Sequence, residues 1–479
     1  MKQRPNILMI MVDQMRGDAM GCAGHPDVKT PHLDTLAAQG VYYPNAYSSC
    51  PTCIPARAIL MTGMTAAHTG RTGYMDGVPW EYPHTLAGEL SKAGYYTQCV
   101  GKMHVHPLRR MLGFHHIELH DGHLHYYRGA NVSRVEAQQY ADDYFHWLRR
   151  EKGVDTDVND TGMDCNSWLV RPWPYEEKYH PTNWVTDRSI DFLRRRDRDM
   201  PFFLMASYVR PHAPFDPPQA FLDMYAGKAL RPPFRGDWND TARLERRGSV
   251  YNNTCGPADE EQIRRQQAGY YALITHIDYQ IGRLLSALQE AGEMDNTIIL
   301  FTSDHGEMLS DHCYNRKAVP YRGSAQIPMI LWGPEKWIGP ARRDERLVEL
   351  RDVMPTLLSF AGAQAPETVD GECMLTPTDR VYLHGEHVFE EESIQFIVTQ
   401  EDKFIWFSGQ MKEQYFRLDT DPEERFNRID DPAYARRIAQ LRSWLMAELA
   451  GREEGFTDGV GLRRVVNPPV ISAGVGEAR

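Results

Sequence analysis

Polar residues closely follow several apolar runs of this chain. Residues 7–12, 201–208 and 297–302 form such runs. An apolar run of this length is typical of a parallel strand that is covered on both faces. Because the carboxyl ends of parallel strands meet at one edge of a sheet, the residues that follow them come together there. The pattern therefore predicts an α/β fold with a large, mixed, mostly parallel sheet flanked by helices.

Candidate metal ligands follow the first and the last of these runs. Asp13 and Gln14 come directly after residues 7–12, and Asp304 and His305 come just after residues 297–302. Oxygen donors with a single imidazole favour a hard divalent cation such as Ca²⁺, Mg²⁺ or Mn²⁺. An aspartate at a strand end can also cap the next turn, and that alternative stays open for Asp13.

Four further side chains supply positive charge or protons near this edge. Lys102 and His104 leave a strand predicted at residues 95–100, His212 is held in a loop by prolines on both sides, and Lys317 follows the last run. Grouped around a cation, they would hold an anion with several oxygens and stabilise charge that develops on it. The alternative is that Lys102 and His104 are ordinary surface residues.

The segment from residue 50 to 63, CPTCIPARAILMTG, combines a cysteine with a predicted helix start. Pro55 suits the first turn of a helix and Gly63 suits a left-handed cap at its end. Cys53 is thus expected just before the helix N-terminus, where backbone N–H groups favour an anion. Arg57, one turn further on, adds a fixed charge. The segment predicts a site for an anion beside a nucleophile.

The cysteines allow other interpretations of this segment. Cys50 and Cys53 form a C-x-x-C motif, which is also found in redox and zinc sites, and a cysteine before a helix is often an inert thiol. The chain has eight cysteines, but no second C-x-x-C that would complete a zinc site. Disulfides and a redox role are therefore disfavoured.

Composition and charge exclude some classes of function. Hydrophobic residues make up 42% of the 479 residues and the net charge is −12, which argues against a nucleic-acid surface. No apolar run is long enough to span a bilayer. The apolar stretch near the N-terminus ends in Asp13 rather than in a small-residue cleavage site, so we interpret it as a strand. These features predict a cytoplasmic protein without membrane contact.

The chain divides into three predicted parts. Residues 1–375 form an α/β catalytic domain, in which residues 266–291 are the clearest helix. Residues 376–451 contain short strands joined by turns and then a helix, which predicts a smaller antiparallel subdomain. Residues 452–479 are interpreted as a C-terminal arm that could reach a neighbouring subunit in a homo-oligomer. Residues 114–180 are expected to form irregular loops over the active face that set specificity.

Eight segments resemble, in order from Asn6 to about residue 450, those of the type I sulfatases of the alkaline phosphatase superfamily. They are PNILMIMVDQ, TPHLDTLAAQG, CIPARAILMTG, GKMH, RPHAPF, SDHGEM, YRGSAQIPMILWGP and YFRLDTDPEE. In that family the cysteine of C-x-P-x-R is oxidised after translation to formylglycine. The resemblance implies an alkaline phosphatase-like fold, a formylglycine-generating partner enzyme, and hydrolysis of a sulfated small molecule or oligosaccharide or an aryl sulfate.

The resemblance also implies a role for each candidate residue. Metal binding falls to Asp13, Gln14, Asp304 and His305 together with the modified Cys53. Arg57 and His104 hold and activate the formylglycine hydroxyls, Lys102 and Lys317 bind sulfate oxygens, and His212 contacts the sulfate and protonates the leaving oxygen. One hydroxyl attacks sulfur and the alcohol departs; loss of the second hydroxyl's proton then expels sulfate and restores the aldehyde.

Two positions depart from the commonest form of the signature. Gln14 stands where many sulfatases have a second Asp, and Ala56 where many have Ser. The Asp-Gln and Asp-His pairs also resemble those of choline sulfatases and phosphonate monoester hydrolases. A phosphonate monoester or phosphodiester hydrolase is therefore the main alternative, and a non-catalytic anion-binding protein with an unmodified Cys53 is a third. Two lysines and two histidines suit a compact terminal anion, which favours sulfate.

Overall fold

The structure, a computed structural model, describes residues 4–122, 142–239, 254 and 259–473. Its strands are β1 Asn6–Asp13, β2 Val41–Tyr42, β3 Ala46–Tyr47, β4 Tyr96–Gly101, β5 His116–Leu119, β6 Phe202–Pro211, β7 Thr297–Ser303, β8 Met329–Trp332, β9 Arg342–Arg343, β10 Val348–Glu349, β11 Leu383–Phe389, β12 Glu392–Val398, β13 Asp402–Phe407 and β14 Lys412–Arg417. The helices are α1 Pro31–Gln39, α2 Cys53–Thr62, α3 Ala66–Thr69, α4 Leu86–Lys92, α5 Asp143–Lys152, α6 Pro181–Arg195, α7 Gln219–Leu222, α8 Glu260–Glu290, α9 Arg322–Ala325, α10 Glu335–Ile338, α11 Val353–Ala361 and α12 Ala435–Glu448.

Eight strands form the central sheet, in the order β5-β4-β6-β1-β7-β8-β2-β9. Neighbours from β5 to β7 pair in parallel, whereas β8 is antiparallel to both β7 and β2. A separate antiparallel sheet has the order β11-β12-β13-β14. The predicted fold class, a mostly parallel sheet with helices and a smaller antiparallel sheet near the C-terminus, is confirmed.

The central strand β1 is buried along its whole length because helices cover both faces of the sheet. Alternate residues face opposite sides. Leu8 and Ile10 pack in one core cluster with Ile277 of α8, and Met9 packs in the other with Ile59 of α2. These two layers fix where β1 ends, and therefore where Asp13 lies.

The antiparallel sheet is also packed on both faces. On one face, Phe404 and Trp406 of β13 pack in a cluster with Leu441 and Leu445 of α12. On the other face, Phe396 belongs to a core cluster shared with the catalytic part of the chain. The second contact holds β11 against the segments that carry the catalytic candidates.

The predicted start of α2 was wrong. The helix begins at Cys53, after Thr52, rather than at Pro55. Pro55 is still accommodated because the first N–H groups of a helix have no partner within it. Gly63 ends α2 with a left-handed φ of 70°, as predicted. Cys53 therefore lies in the first turn rather than before it.

One other local prediction was wrong. Residues 114–180 are not uniformly irregular: β5 pairs in parallel with β4, and Phe145 and Leu148 are buried from the amphipathic α5. Among the residues described, no helix is sufficiently long and apolar to cross a membrane.

Candidate active site

The ends of β1 and β7 bring the predicted metal ligands together. Because the two strands are neighbours in parallel register, Asp13 and Asp304 emerge side by side. His305 Nε2 lies 3.5 Å from Asp13 Oδ1 and 3.6 Å from Asp304 Oδ1. Donor atoms of these three residues and of Cys53 all lie within 4.8 Å of one another, and all four residues are buried.

Cys53 reaches this cluster from the first turn of α2. Its Sγ lies 3.2 Å from His305 Nε2 and 3.6 Å from Asp13 Oδ1, and the residue is 2% exposed. Burial acts to raise the pKa of the Cys53 thiol, but Lys102, Lys317 and His305 outweigh it and hold the pKa well below its usual value. Negative charge at position 53 is therefore stabilised by its cationic neighbours.

The predicted ligand Gln14 lies beside the cluster in a strained backbone conformation. Its φ is 71°, and its backbone N–H donates to Asp304 Oδ1 at 3.1 Å. The side-chain N–H donates to Glu307, and Oε1 accepts from Lys317 Nζ at 2.6 Å. Glu307 was not predicted; its contact with Gln14 fixes which end of the amide faces the cluster.

Arg57 faces the back of the cluster. Its Nε donates to Asp304 Oδ2 at 3.0 Å, and another guanidinium nitrogen donates to the Lys102 carbonyl at 2.8 Å and to Ser207 Oγ at 3.1 Å. The remaining nitrogen is buried without a partner among the described residues. Ser207, a residue of β6, was also not among the predicted site residues.

The cationic side chains lie on the other side of Cys53. Lys102 forms an ion pair with Asp13, and Lys317 Nζ lies 3.5 Å from Cys53 Sγ and 2.8 Å from His212 Nε2. His212 Nδ1 contacts the Ala213 carbonyl at 2.6 Å. Burial, aided by Lys317, lowers the pKa of His212 to about 3, so the ring is neutral. Three candidates from distant segments thus meet around one sulfur atom.

His104 contacts Tyr74, Asp76 and Asp121 close to Cys53. Its Nε2 lies 3.4 Å from Asp76 Oδ1 and 3.4 Å from the Tyr74 hydroxyl, and its backbone N–H donates to Asp121 at 2.9 Å. Burial acts to raise the pKa of the Cys53 thiol, and His104 helps to lower it, with a smaller effect than Lys102, Lys317 and His305. Tyr74 and Asp76 had no distinguishing sequence signal.

Strand β11 of the antiparallel sheet also reaches the site around Cys53. His387, on β11, contacts the Thr52 hydroxyl at 2.8 Å through Nε2. Burial is the main cause that lowers the pKa of His387 to about 3. No sequence pattern connects position 387 with Cys53, because the two lie 334 positions apart in the chain.

The histidines of residues 114–125 do not form a second metal site where they are described. His115 bonds to Thr97, His116 is exposed, and His120 pairs with Asp142 at 3.1 Å. His123 and His125 lie outside the described residues. The described histidines therefore have separate structural contacts.

A pocket of about 400 Å³ opens over Cys53. Lys102, His104, His212 and Lys317 line it, together with Tyr74, Arg316, His387, Phe389 and Val470. A larger cavity of about 790 Å³ lies beside Arg351, Arg380 and Arg452. Cys53 does not line it and each of these arginines is paired with an acid, so the smaller pocket is the candidate active site.

The cluster fits a divalent cation. Asp13 and Asp304 are both 0% exposed, and two adjacent buried carboxylates are costly unless positive charge compensates them. Burial and the neighbouring Asp13 raise the pKa of Asp304 above its usual value. Carboxylate oxygens with one imidazole nitrogen are a donor set for a hard cation.

Comparison with known proteins agrees with this geometry. A family model described as Sulfatase matches residues 5–363, and a second one, described as N-sulphoglucosamine sulphohydrolase, C-terminal, matches residues 310–450. The chain belongs to the sulfatase family. An arylsulfatase from Clostridium perfringens is 49% identical to this sulfatase over 464 residues, which cover 95% of this chain and 96% of that one. The protein of this sequence is accordingly a sulfuric ester hydrolase.

Solved structures share the fold of this sulfatase. The phosphonate monoester hydrolase of Agrobacterium radiobacter superposes with a TM-score of 0.76 at 25% identity, covering 93% of this chain and 95% of that one. A 22% identical protein, solved in complex with its substrate D-glucosamine-2-N,6-O-disulfate, superposes with a TM-score of 0.73, covering 93% and 97%. The second likeness shows the fold alone.

Proposed function

We propose that this sulfatase hydrolyses the sulfate monoester of a carbohydrate or aryl alcohol, using a formylglycine made from Cys53 and one divalent cation, with Ca²⁺ preferred. One observation carries the proposal: Cys53 Sγ lies within 3.6 Å of His305, Asp13 and Lys317, between the carboxylates and the cationic side chains. A substituent at this position would contact both a cation and an incoming oxyanion.

The hydrated aldehyde and the divalent cation would each have one role in the reaction. The hydrated aldehyde at position 53 would provide the attacking hydroxyl, and a divalent cation held by Asp13, Gln14, Asp304 and His305 would offset the charge of the anion. The rest falls to the chain itself. Arg57 holds Asp304 and the carbonyl of Lys102, and thereby the ligand geometry.

Lys102 and Lys317 would bind sulfate oxygens, and His104 would orient the group at position 53. His212 would deliver a proton to the leaving oxygen from Nε2. In the free enzyme that atom accepts a hydrogen bond from the Lys317 ammonium, because lysine has only donors. We therefore propose that the Lys317 proton passes to Nε2 as charge develops on the departing alcohol, and that the N–H then exchanges its contact with Nζ for one with the leaving oxygen, which takes the proton.

Modification of Cys53 is tested by mass spectrometry of the peptide that contains it, with protein made alongside a formylglycine-generating enzyme. We expect the aldehyde at Cys53 and a free thiol at Cys50, which serves as the internal control. Cys53→Ala should abolish turnover with folding intact, whereas Cys50→Ala should retain it. An unmodified Cys53 in fully active enzyme would refute the assigned nucleophile.

Phosphonate monoester hydrolysis is the second candidate, because the solved hydrolase with TM-score 0.76 has that activity by name. Rates with the 4-nitrophenyl esters of sulfate and of phenylphosphonate, compared as kcat/KM, separate the two. We expect the sulfate ester to be preferred. A preference for the phosphonate would reverse the assignment.

The remaining expectations are part of the same proposal. A modifying enzyme must reach Cys53 before folding is complete, because the residue is 2% exposed in the folded chain. We propose a cytoplasmic location. We also propose domains at residues 1–375 and 376–451, followed by an arm at 452–479. Analytical ultracentrifugation would measure whether the protein forms a homo-oligomer.

A further inference from the structure

The C-terminal arm folds back over its own active site where it is described. The backbone N–H of Val465 donates to the Ser408 carbonyl at 3.2 Å, and that of Asn467 donates to the Glu391 carbonyl at 2.7 Å. Ser472 N–H then donates to the Gly70 carbonyl at 3.0 Å. These bonds direct residues 465–472 along the antiparallel sheet and onto the segment that precedes Tyr74.

Residues 70–73 lie between the arm and strand β11. On one side, Thr72 N–H donates to the Val470 carbonyl at 3.1 Å; on the other, Val388 N–H donates to the Thr72 carbonyl at 2.7 Å. Gly73 permits this close packing. A Cβ at that position would lie 2.9 Å from the Val388 carbonyl oxygen and 3.0 Å from Val470 Cγ1.

This arrangement places apolar side chains from both C-terminal segments in the pocket. Val388, Phe389 and Val470 line it together with Cys53. Apolar groups offer no hydrogen bonds to a sulfate, and burying its charge against them is costly. They are instead suited to the part of the substrate that carries carbon, because burial of apolar surface is favourable.

We infer that the C-terminal arm completes the alcohol-binding side of the pocket, and that Val470 limits the size of the alcohol that this sulfatase accepts. The inference rests on the proposed function, because it assigns the other half of the same substrate. It also gives the described part of the arm a role within its own chain.

The test compares Val470→Trp with Val466→Trp, a matched substitution on the same arm at a residue that is 43% exposed and does not line the pocket. The esters are 4-nitrophenyl sulfate and the bulkier 4-methylumbelliferyl sulfate. A larger side chain in the wall should raise KM for the bulkier ester about tenfold more than for the smaller one. Competitive inhibition by inorganic sulfate should stay unchanged, and Val466→Trp should behave as the parent.

Gly73→Ala provides a second test, in which position 470 keeps its valine. It should displace the arm and change the ratio of KM values for the two esters, again without changing inhibition by sulfate. The inference is overturned if Val470→Trp matches Val466→Trp, or if both esters and sulfate are affected in parallel. A parent enzyme that turns over neither ester would overturn the proposed function, and the inference with it.

Discussion

The ammonium of Lys317 lies 2.8 Å from Nε2 of His212, and both side chains are buried beside Cys53. Lysine has no acceptor, so Nε2 must accept, and the imidazole proton lies on Nδ1, where the Ala213 carbonyl receives it at 2.6 Å. In the proposed mechanism the pair would act as a unit, because the lysine holds the proton that the histidine needs on Nε2.

This relationship predicts non-additive losses. Lys317→Met should lower kcat by roughly 10² to 10³, because it removes both a charge beside the sulfate and the proton donor to His212. His212→Ala should cause a similar loss, and the double variant little more than either single one. Steady-state kinetics on all three decide this, with the exposed Lys228→Met as the control. Fully additive losses would show that the two residues act independently.

Removing the cation should destabilise the protein as well as inactivate it. Asp13 and Asp304 would then keep only Lys102 and Arg57 to offset their charges. A bound ion at about 100 times its Kd stabilises the fold by roughly 3 kcal/mol. We expect chelation to lower Tm and the ion to restore it, with Ca²⁺, Mn²⁺ and Mg²⁺ compared at equal concentration. Asp304→Asn should abolish most of the ion-dependent change in Tm. A Tm that ignores both chelator and ions would contradict the metal assignment.

The contact between Thr52 and His387 should matter for turnover. Thr52 precedes α2, yet its hydroxyl makes no cap to the helix and instead contacts His387 Nε2 at 2.8 Å. His387→Ala removes that contact and should lower kcat/KM about tenfold through misplacement of position 53. Thr52→Val should give a comparable loss, and the two changes together no more than one.

His384→Ala is the matched control for this prediction. His384 lies on the same strand, but its contact is with Gln395 at 2.7 Å and it does not line the active-site pocket. It should leave kcat/KM close to that of the parent. Equal losses from the two histidine variants would instead indicate that the strand is simply destabilised.

Asp278 should make the stability of the fold depend on pH. Its carboxylate accepts hydrogen bonds from the backbone N–H groups of His32 and Leu33, but burial dominates and raises its pKa to about 7. A folded-state pKa above the unfolded value of 3.8 means that the stabilising contribution is complete below 3.8 and is lost as pH rises through 7.

Tm measured from pH 5 to pH 8 should therefore fall more in the parent than in Asp278→Asn, which cannot ionise. Titrations shared by both proteins cancel in the comparison. The exposed Asp223→Asn should follow the parent curve. Parallel curves for the parent and Asp278→Asn would show that position 278 stays charged throughout this range.

Local pattern was sufficient for the strand ends and for the C-terminal cap of α2. Residues 7–12 and 297–302 were recognisable as strands because a buried parallel strand has an apolar side chain on both faces. The acids that follow had to share an edge, since neighbouring parallel strands end together. Gly63 was predictable as a left-handed cap because its role depends only on adjacent residues.

Local pattern did not predict the first residue of α2. Pro55 suggested a helix beginning there, but the helix begins at Cys53, since the first turn tolerates a residue without an N–H at several positions. The difference of two residues matters chemically, because it brings Sγ into contact with His305 rather than leaving it in the preceding loop.

The sequence by itself determined the sheet, the polar edge and the identity of the residues that the sulfatase resemblance singled out. Only the tertiary structure decided which further residues reach them: Glu307 beside Gln14, Ser207 beside Arg57, His387 beside Thr52 and Val470 beside Gly73. The physical reason is that these contacts join segments with no local dependence on one another. A side chain's period along a strand or helix is set by its neighbours in sequence, whereas its partner across the pocket is set by how whole layers pack.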